Sequence, residues 1–170
     1  MRIKSRQSPQ KIGEMNSNPN ILSSFYEAFL QGNAALMASC YHPEATFSDP
    51  AFGKLNNEEV IAMWELLLQR SKGNLSIKYS VLAFTEEKGS VKWIATYPFS
   101  QTNRQVVNEI TAHFELKEGL IWKHTDNFNL WKWCGMAMGW KGYLLGWTPF
   151  FQQKIREKAR KSLFNYINKT

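Results

Sequence analysis

Cysteine is scarce in this chain: Cys40 and Cys134 are the only two in 170 residues, and they form no spacing that would hold a metal or a haem. A reduced, cytoplasmic protein is the expectation. No metal-ligand or cofactor-binding motif occurs, so neither a metal nor a cofactor is expected. The basic start at residues 1–11 is not followed by an apolar run, so it does not read as a secretory signal. Internal repeats and low-complexity tracts are missing as well.

What is present suits one domain with a sizeable core. Aromatic residues make up 14% of the chain, enough to line a cavity as well as fill a core. The net charge of +7 is unevenly spread. Residues 1–18 carry +3, residues 132–170 carry +7, and residues 19–131 carry −3. Basic character therefore belongs to the ends, and a nucleic-acid partner is not expected from it.

Residues 1–18 are polar and aperiodic and read as a mobile leader. Asn18-Pro19 is a helix start, with Asn18 as cap and Pro19 in the first turn. That helix presents Leu22, Phe25, Tyr26 and Phe29 on one stripe and stops at Gly32-Asn33. A short helix over 34–41 and a strand over 45–49 follow. Asn57 caps a third helix with Ile61, Trp64, Leu67 and Leu68 inward. Strand patterns then cover 75–84, 90–99, 106–116 and 120–131, the last two joined by the turn Lys117-Glu118-Gly119. Val91, Trp93, Ala95 and Tyr97 share one side of the second. Val106, Ile110, Ala112 and Phe114 share one side of the third. Trp122, His124, Asp126, Phe128 and Leu130 share one side of the fourth. Three helices before an antiparallel meander predict an α+β fold, a curved, cone-shaped sheet whose helices enclose a pocket.

Two carboxylates stand out on this background. Asp49 and Asp126 both fall on the apolar side of their strands. An unpartnered carboxylate there is costly, so such a group is neutralised, partnered or functional. For Asp49, ahead of Pro50 and a turn, the plain alternative is a bond to the backbone of Phe52 or Gly53. For Asp126 it is a bond from a tryptophan N–H or to the first helix. His124, two residues from Asp126, is either a satisfied core histidine or its partner. Phe25, Tyr26, Trp64, Tyr79, Trp93, Tyr97, Phe114, Trp122 and Phe128 are the aromatics expected around the pocket.

Helix, Gly-Asn, helix, then Tyr-His-Pro-Glu-Ala-Thr-Phe-Ser-Asp-Pro at 41–50, then helix and meander, resembles the nuclear transport factor 2-like superfamily. Within it the match is to SnoaL-like and ketosteroid isomerase-like members over residues 20–131. The resemblance implies a proton-shuttling role for Asp49, since it occupies the place of the shuttle in the isomerases. It puts Phe25 and Ala112 where those enzymes carry oxyanion donors, which argues against steroid isomerisation. Thr125-Asp126-Asn127-Phe128-Asn129 resembles the last strand of polyketide cyclases and epoxide hydrolases, where an aspartate works. Epoxide hydrolysis also needs an Arg-x-Asp pair, and Arg104 is followed by Gln105 and Val106. The implied function is binding of an apolar small molecule, with cyclase- or isomerase-like proton transfer by Asp126, Asp49 and His124. The rival is a non-catalytic ligand-binding or protein-interaction module. The resemblance also implies a homodimer paired through the outer sheet face.

Residues 132–170 lie beyond this resemblance. Residues 134–151 approach the length of a bilayer span, but Gly135, Gly139, Gly142, Gly146 and Lys141 speak against one. Thr148 and Pro149 then open a helix with the stripe Phe151, Ile155, Ala159, Leu163 and Tyr166. Docking on its own domain or a partner subunit is the favoured expectation. A membrane surface, met by the basic residues and interfacial aromatics, is the other.

Overall fold

The computed structural model describes residues 20–169; the leader and the Asn18-Pro19 helix start lie outside the described residues. The first helix, α1 (Ile21–Leu30), is capped by Asn20, whose side chain accepts from Ser23 N. Asn33 caps α2 (Ala34–Ser39) in the same way, and the chain enters β1 (Tyr41–Asp49) sooner than the helical pattern predicts. After the short β2 (Gly53–Leu55), α3 (Asn57–Ser71) begins with a capping box. Its cap is Asn56 rather than Asn57, because only Asn56 has Glu59 at the position that can bond back to its own N–H.

The meander is β3 (Ser76–Phe84), β4 (Lys88–Pro98), β5 (Gln105–Lys117) and β6 (Leu120–Asn127). All its neighbouring strands are antiparallel, whereas β1 joins alongside β6 in parallel. The six-stranded order is β2-β1-β6-β5-β4-β3, an open sheet that curves around α1 and α3. Period-two alternation sets the inner face. Val91, Trp93 and Ala95 stand opposite Ala112, Ile110 and Asn108, and all six are buried.

Two expectations for the last strand change. Leu116 pairs with Ile121 but Glu115 pairs with Lys123, so Trp122 is the extra residue of a bulge. Ile121 therefore takes the core position, and Trp122 is half-buried with the Lys123 Nζ 4.2 Å from its ring centroid. The strand also stops at Asn127, because Asn129 caps a new helix, α4 (Leu130–Met138).

A short α5 (Trp140–Leu145) follows, and α6 (Pro149–Ile167) starts at the Thr148 cap with Pro149 at its first position. α6 docks on its own domain, beside α3 and across the open end of the cone. Leu163 is 2% exposed, and Ala159, Tyr166 and Ile167 pack against the core cluster. Arg160 donates to Phe52 O and Lys54 O, Arg156 to Pro50 O and Lys158 to Gln101. A fully buried leucine contributes about 2–5 kcal/mol relative to alanine. Leu163→Ala should therefore lower the urea unfolding free energy by about 2–3 kcal/mol; an unchanged midpoint would contradict docking of α6.

Candidate functional site

The inner face of the sheet, α3 and the C-terminal helices enclose a cavity of about 470 Å³. That volume suits a small organic molecule. Aromatic side chains dominate its wall: Phe29, Phe47, Phe52, Trp64, Trp93, Tyr97, Phe99, Phe128 and Trp133. Both carboxylates reach it, Asp49 from the end of β1 and Asp126 from β6. At the mouth stand Arg70, which donates to Ser162 Oγ, and Lys158, which donates to Gln101.

Asp126 is 4% exposed, and its Oδ1 is partnered twice. Trp93 Nε1 donates to it at 3.3 Å, and His124 Nε2 lies 3.0 Å away. His124 Nδ1 in turn lies 2.7 Å from Tyr41 Oη, which accepts from Trp64 Nε1 at 3.0 Å. Tryptophan can only donate, so the arrangement that gives every proton an acceptor has a single direction. Trp64 donates to Tyr41, Tyr41 donates to His124 Nδ1, and His124 Nε2–H donates to Asp126. Burial pushes the Tyr41 phenol well up from its ordinary range, which keeps its proton in place for this chain.

Asp49 has both of the roles weighed for it. Its Oδ1 accepts from Ala51 N at 2.9 Å and from Phe52 N, an Asx-type turn over Pro50. The same side chain faces the cavity. Burial raises its pKa to about 7, the turn N–H groups pull the other way, and the Asp126 charge adds to the rise.

Of the aromatics expected at the pocket, Trp64, Trp93, Tyr97 and Phe128 line it. Phe25, Tyr26 and Phe114 instead form the packed layer behind the wall, because α1 lies too close to the sheet to leave space there. Tyr79 stacks on Tyr26 at 4.8 Å and donates to Glu27, away from the cavity, and Trp122 is displaced by its bulge. His124 sits fully buried between Phe47, Phe114 and Tyr41 and supports Asp126 from behind. It does not line the cavity itself.

Phe29, Phe47, Phe52 and Phe99 line the cavity without having been expected there, and two polar-tipped residues escaped the sequence reading as well. Asn108 lines the cavity, and the alternation Val106, Asn108, Ile110 does place it inward. Trp133, on α4, also lines it and donates from Nε1 to Tyr97 Oη at 2.9 Å. No local pattern joins Trp133 to β4, so only the tertiary fold reveals that pair. Burial raises the Tyr97 pKa, more than the Trp133 bond lowers it, so the phenol keeps its proton at neutral pH.

The SnoaL-like domain family matches residues 22–124. No curated protein is significantly similar to the chain in sequence. Among solved structures, a proposed polyketide cyclase from Xanthomonas campestris pv. campestris superposes with a TM-score of 0.56 at 18% identity, over 69% of this chain and 93% of its own. A Catenulispora acidiphila protein with a ketosteroid isomerase-like fold, in complex with trimethylamine, gives 0.58 at 13% identity, over 78% and 100%. An M. tuberculosis epoxide hydrolase of the LEH-like type gives 0.52 at 13% identity, over 74% and 93%. At these identities the likeness is one of fold.

The hydrogen-bonded chain and the neighbouring Tyr26 make opposite demands on a hydroxyl. Tyr41→Phe strips two buried partners at once and should cost about 1–3 kcal/mol in unfolding free energy. The buried Tyr26 Oη has no hydrogen-bond partner among the described residues, so Tyr26→Phe should be neutral or stabilising. Chemical denaturation of both variants checks the pair; equal losses would contradict the assigned network.

Proposed function

The chain belongs to the SnoaL-like domain family, and on that premise we propose that its cone binds an apolar, carbonyl-bearing small molecule and moves a proton at the carbon beside the carbonyl. One observation carries the reading: Asp49 faces an aromatic cavity with its pKa raised to about 7. A carboxylate poised there can take a proton from carbon and return it near neutral pH.

The roles follow from the partners. Asp49, ionised, removes the proton and becomes the acid, leaving an enolate. Returning the proton to another carbon isomerises the ligand; attack of the enolate carbon on a second carbonyl of the same molecule closes a ring, and the alkoxide so formed takes the proton back from Asp49. The developing negative charge on oxygen needs donors, and neither Phe25 nor Ala112 supplies one. Tyr97 does: its oxygen accepts from Trp133, which leaves its own proton free to donate, and the Asn108 amide lines the same cavity. Asp126 is held by Trp93 and His124 as a fixed acceptor, and its charge helps hold the Asp49 pKa up. Arg104 is not among the residues that line the cavity; its Nε donates to Met136 O at 3.0 Å.

A non-catalytic ligand carrier is the second reading, favoured by the two backbone N–H groups that occupy Asp49 Oδ1. Exchange of the α-protons of a hydrophobic ring ketone in D₂O, followed by mass spectrometry, separates the two. Catalysed exchange should rise with pH as Asp49 loses its proton and level off above about 7. Asp49→Asn should lower it by at least about 100-fold and Tyr97→Phe by about 10²–10³-fold. Binding of the ketone without exchange, or exchange that Asp49→Asn leaves intact, would support the carrier.

A further inference from the structure

The C-terminal helices carry a surface that the cavity does not use. α5 crosses α4 at backbone contact: a Cβ on Gly142 would lie 2.0 Å from Cys134 O, and one on Gly135 would lie 2.9 Å from the Tyr143 ring. Small residues thus close the helix pair, with Cys134 and Ala137 fully buried inside it. The large side chains are left outside. Trp140 is 71% exposed, Tyr143 64%, Trp147 62% and Phe150 70%, with Leu144 and Leu145 between them. Six large apolar residues within eleven positions form a patch that the other described residues leave uncovered.

The stretch of chain that carries the patch has charge of one sign, although Glu109 lies 3.7 Å from Lys132 and Glu157 lies 4.0 Å from Lys154. No Asp or Glu occurs between Asp126 and Glu157, whereas Lys132, Lys141, Lys154 and Arg156 fall in that stretch. Two of these lysines stand beside the exposed rings, Lys141 Nζ 5.7 Å from the Trp140 centroid and Lys154 Nζ 5.5 Å from that of Phe150. Tryptophan and tyrosine flanked by lysine are the side chains that settle at a lipid–water boundary. A second copy of the same face would bring Lys141 against Lys141, with no carboxylate between Asp126 and Glu157 to neutralise the pair. Among the described residues no helix is long and apolar enough to cross a membrane, so the contact is with its surface.

We propose that the face built by α5 and the start of α6, centred on Trp140, Tyr143, Trp147 and Phe150, docks on an anionic lipid bilayer. This deepens the ligand-binding reading and rests on it in one respect. α6, which carries part of the patch, also walls the cavity through Ile155, and α4, packed against α5, walls it through Met138. Ile155 lies five residues, or about 7.5 Å of helix, beyond Phe150. Docking would therefore hold the cavity mouth beside the phase in which an apolar ligand dissolves.

The test uses the full chain and phosphatidylcholine vesicles with or without phosphatidylglycerol. The chain should sediment with the anionic vesicles, at least about tenfold more weakly with phosphatidylcholine alone, and more weakly again when salt rises from about 0.1 to 0.5 M. Combining Trp140→Ser with Trp147→Ser should reduce binding at least about tenfold while leaving the melting temperature and ketone exchange in solution unchanged. Lys141→Gln with Lys154→Gln should weaken anionic binding and flatten its salt dependence. Asp49→Asn should sediment as the wild type does, so loss of the chemistry and loss of docking read out separately. Absence of sedimentation overturns the proposal, as does binding that the tryptophan variant retains. A concentration-dependent dimer in analytical ultracentrifugation that the tryptophan variant abolishes overturns it too, in favour of a copy-to-copy interface.

Discussion

A single buried hydrogen-bonded chain, Trp64–Tyr41–His124–Asp126–Trp93, ties the helix layer to the sheet and aims a carboxylate at the cavity. It joins α3, β1, β6 and β4, which are distant in sequence. Each link is a polar group taken out of water, and each would cost stability if left unpaired. Satisfied in one direction, the chain fixes the Trp64 and Trp93 rings as cavity walls and leaves Asp126 no freedom to turn away. The environment of Asp49 follows from that placement, since a fixed charge on Asp126 works with burial against its ionisation.

Residues beyond the family match help to shape the cavity. The family match ends at residue 124, yet Phe128, Trp133, Met138, Ile155, Ala159 and Ser162 all line the cavity. Without α4 the Tyr97 hydroxyl would lack the donor that orients it. Without α6 the cavity would lose Ile155, Lys158, Ala159 and Ser162 from its wall, and the backbone of residues 50–54 would lose Arg156 and Arg160 as donors. The same extension carries the aromatic face turned outward. Pocket shape and surface are thus set by one segment, and a change in either can be selected through it.

Much of this was legible in the sequence because it is local. Apolar periodicity gave α1 and α3, alternation gave the meander, and Thr148-Pro149 gave the start of α6. The two inward aspartates followed from parity along a strand. Where that parity breaks, the reading broke with it: one bulge at Trp122 moved that ring out of the core position, and the Asn129 cap turned Leu130 and Trp131 from strand into helix. Phe25, Tyr26 and Phe114 were rightly placed inward, but facing the core and facing a cavity have the same pattern. Which inward residues touch empty space depends on how closely α1 approaches the sheet, and that distance is a tertiary quantity. The Trp133–Tyr97 bond is invisible to any window, being a contact across 36 residues.

The central claim is that the cone presents a carboxyl group poised for proton exchange near neutral pH. Carbon-13 NMR of the aspartate carboxyls, titrated across the pH range with Asp49→Asn to assign the resonance, measures it directly. The account predicts an Asp49 midpoint at about 7. A midpoint in the ordinary aspartate range, about 4, would mean that the turn N–H groups outweigh burial and that Asp49 is a structural residue.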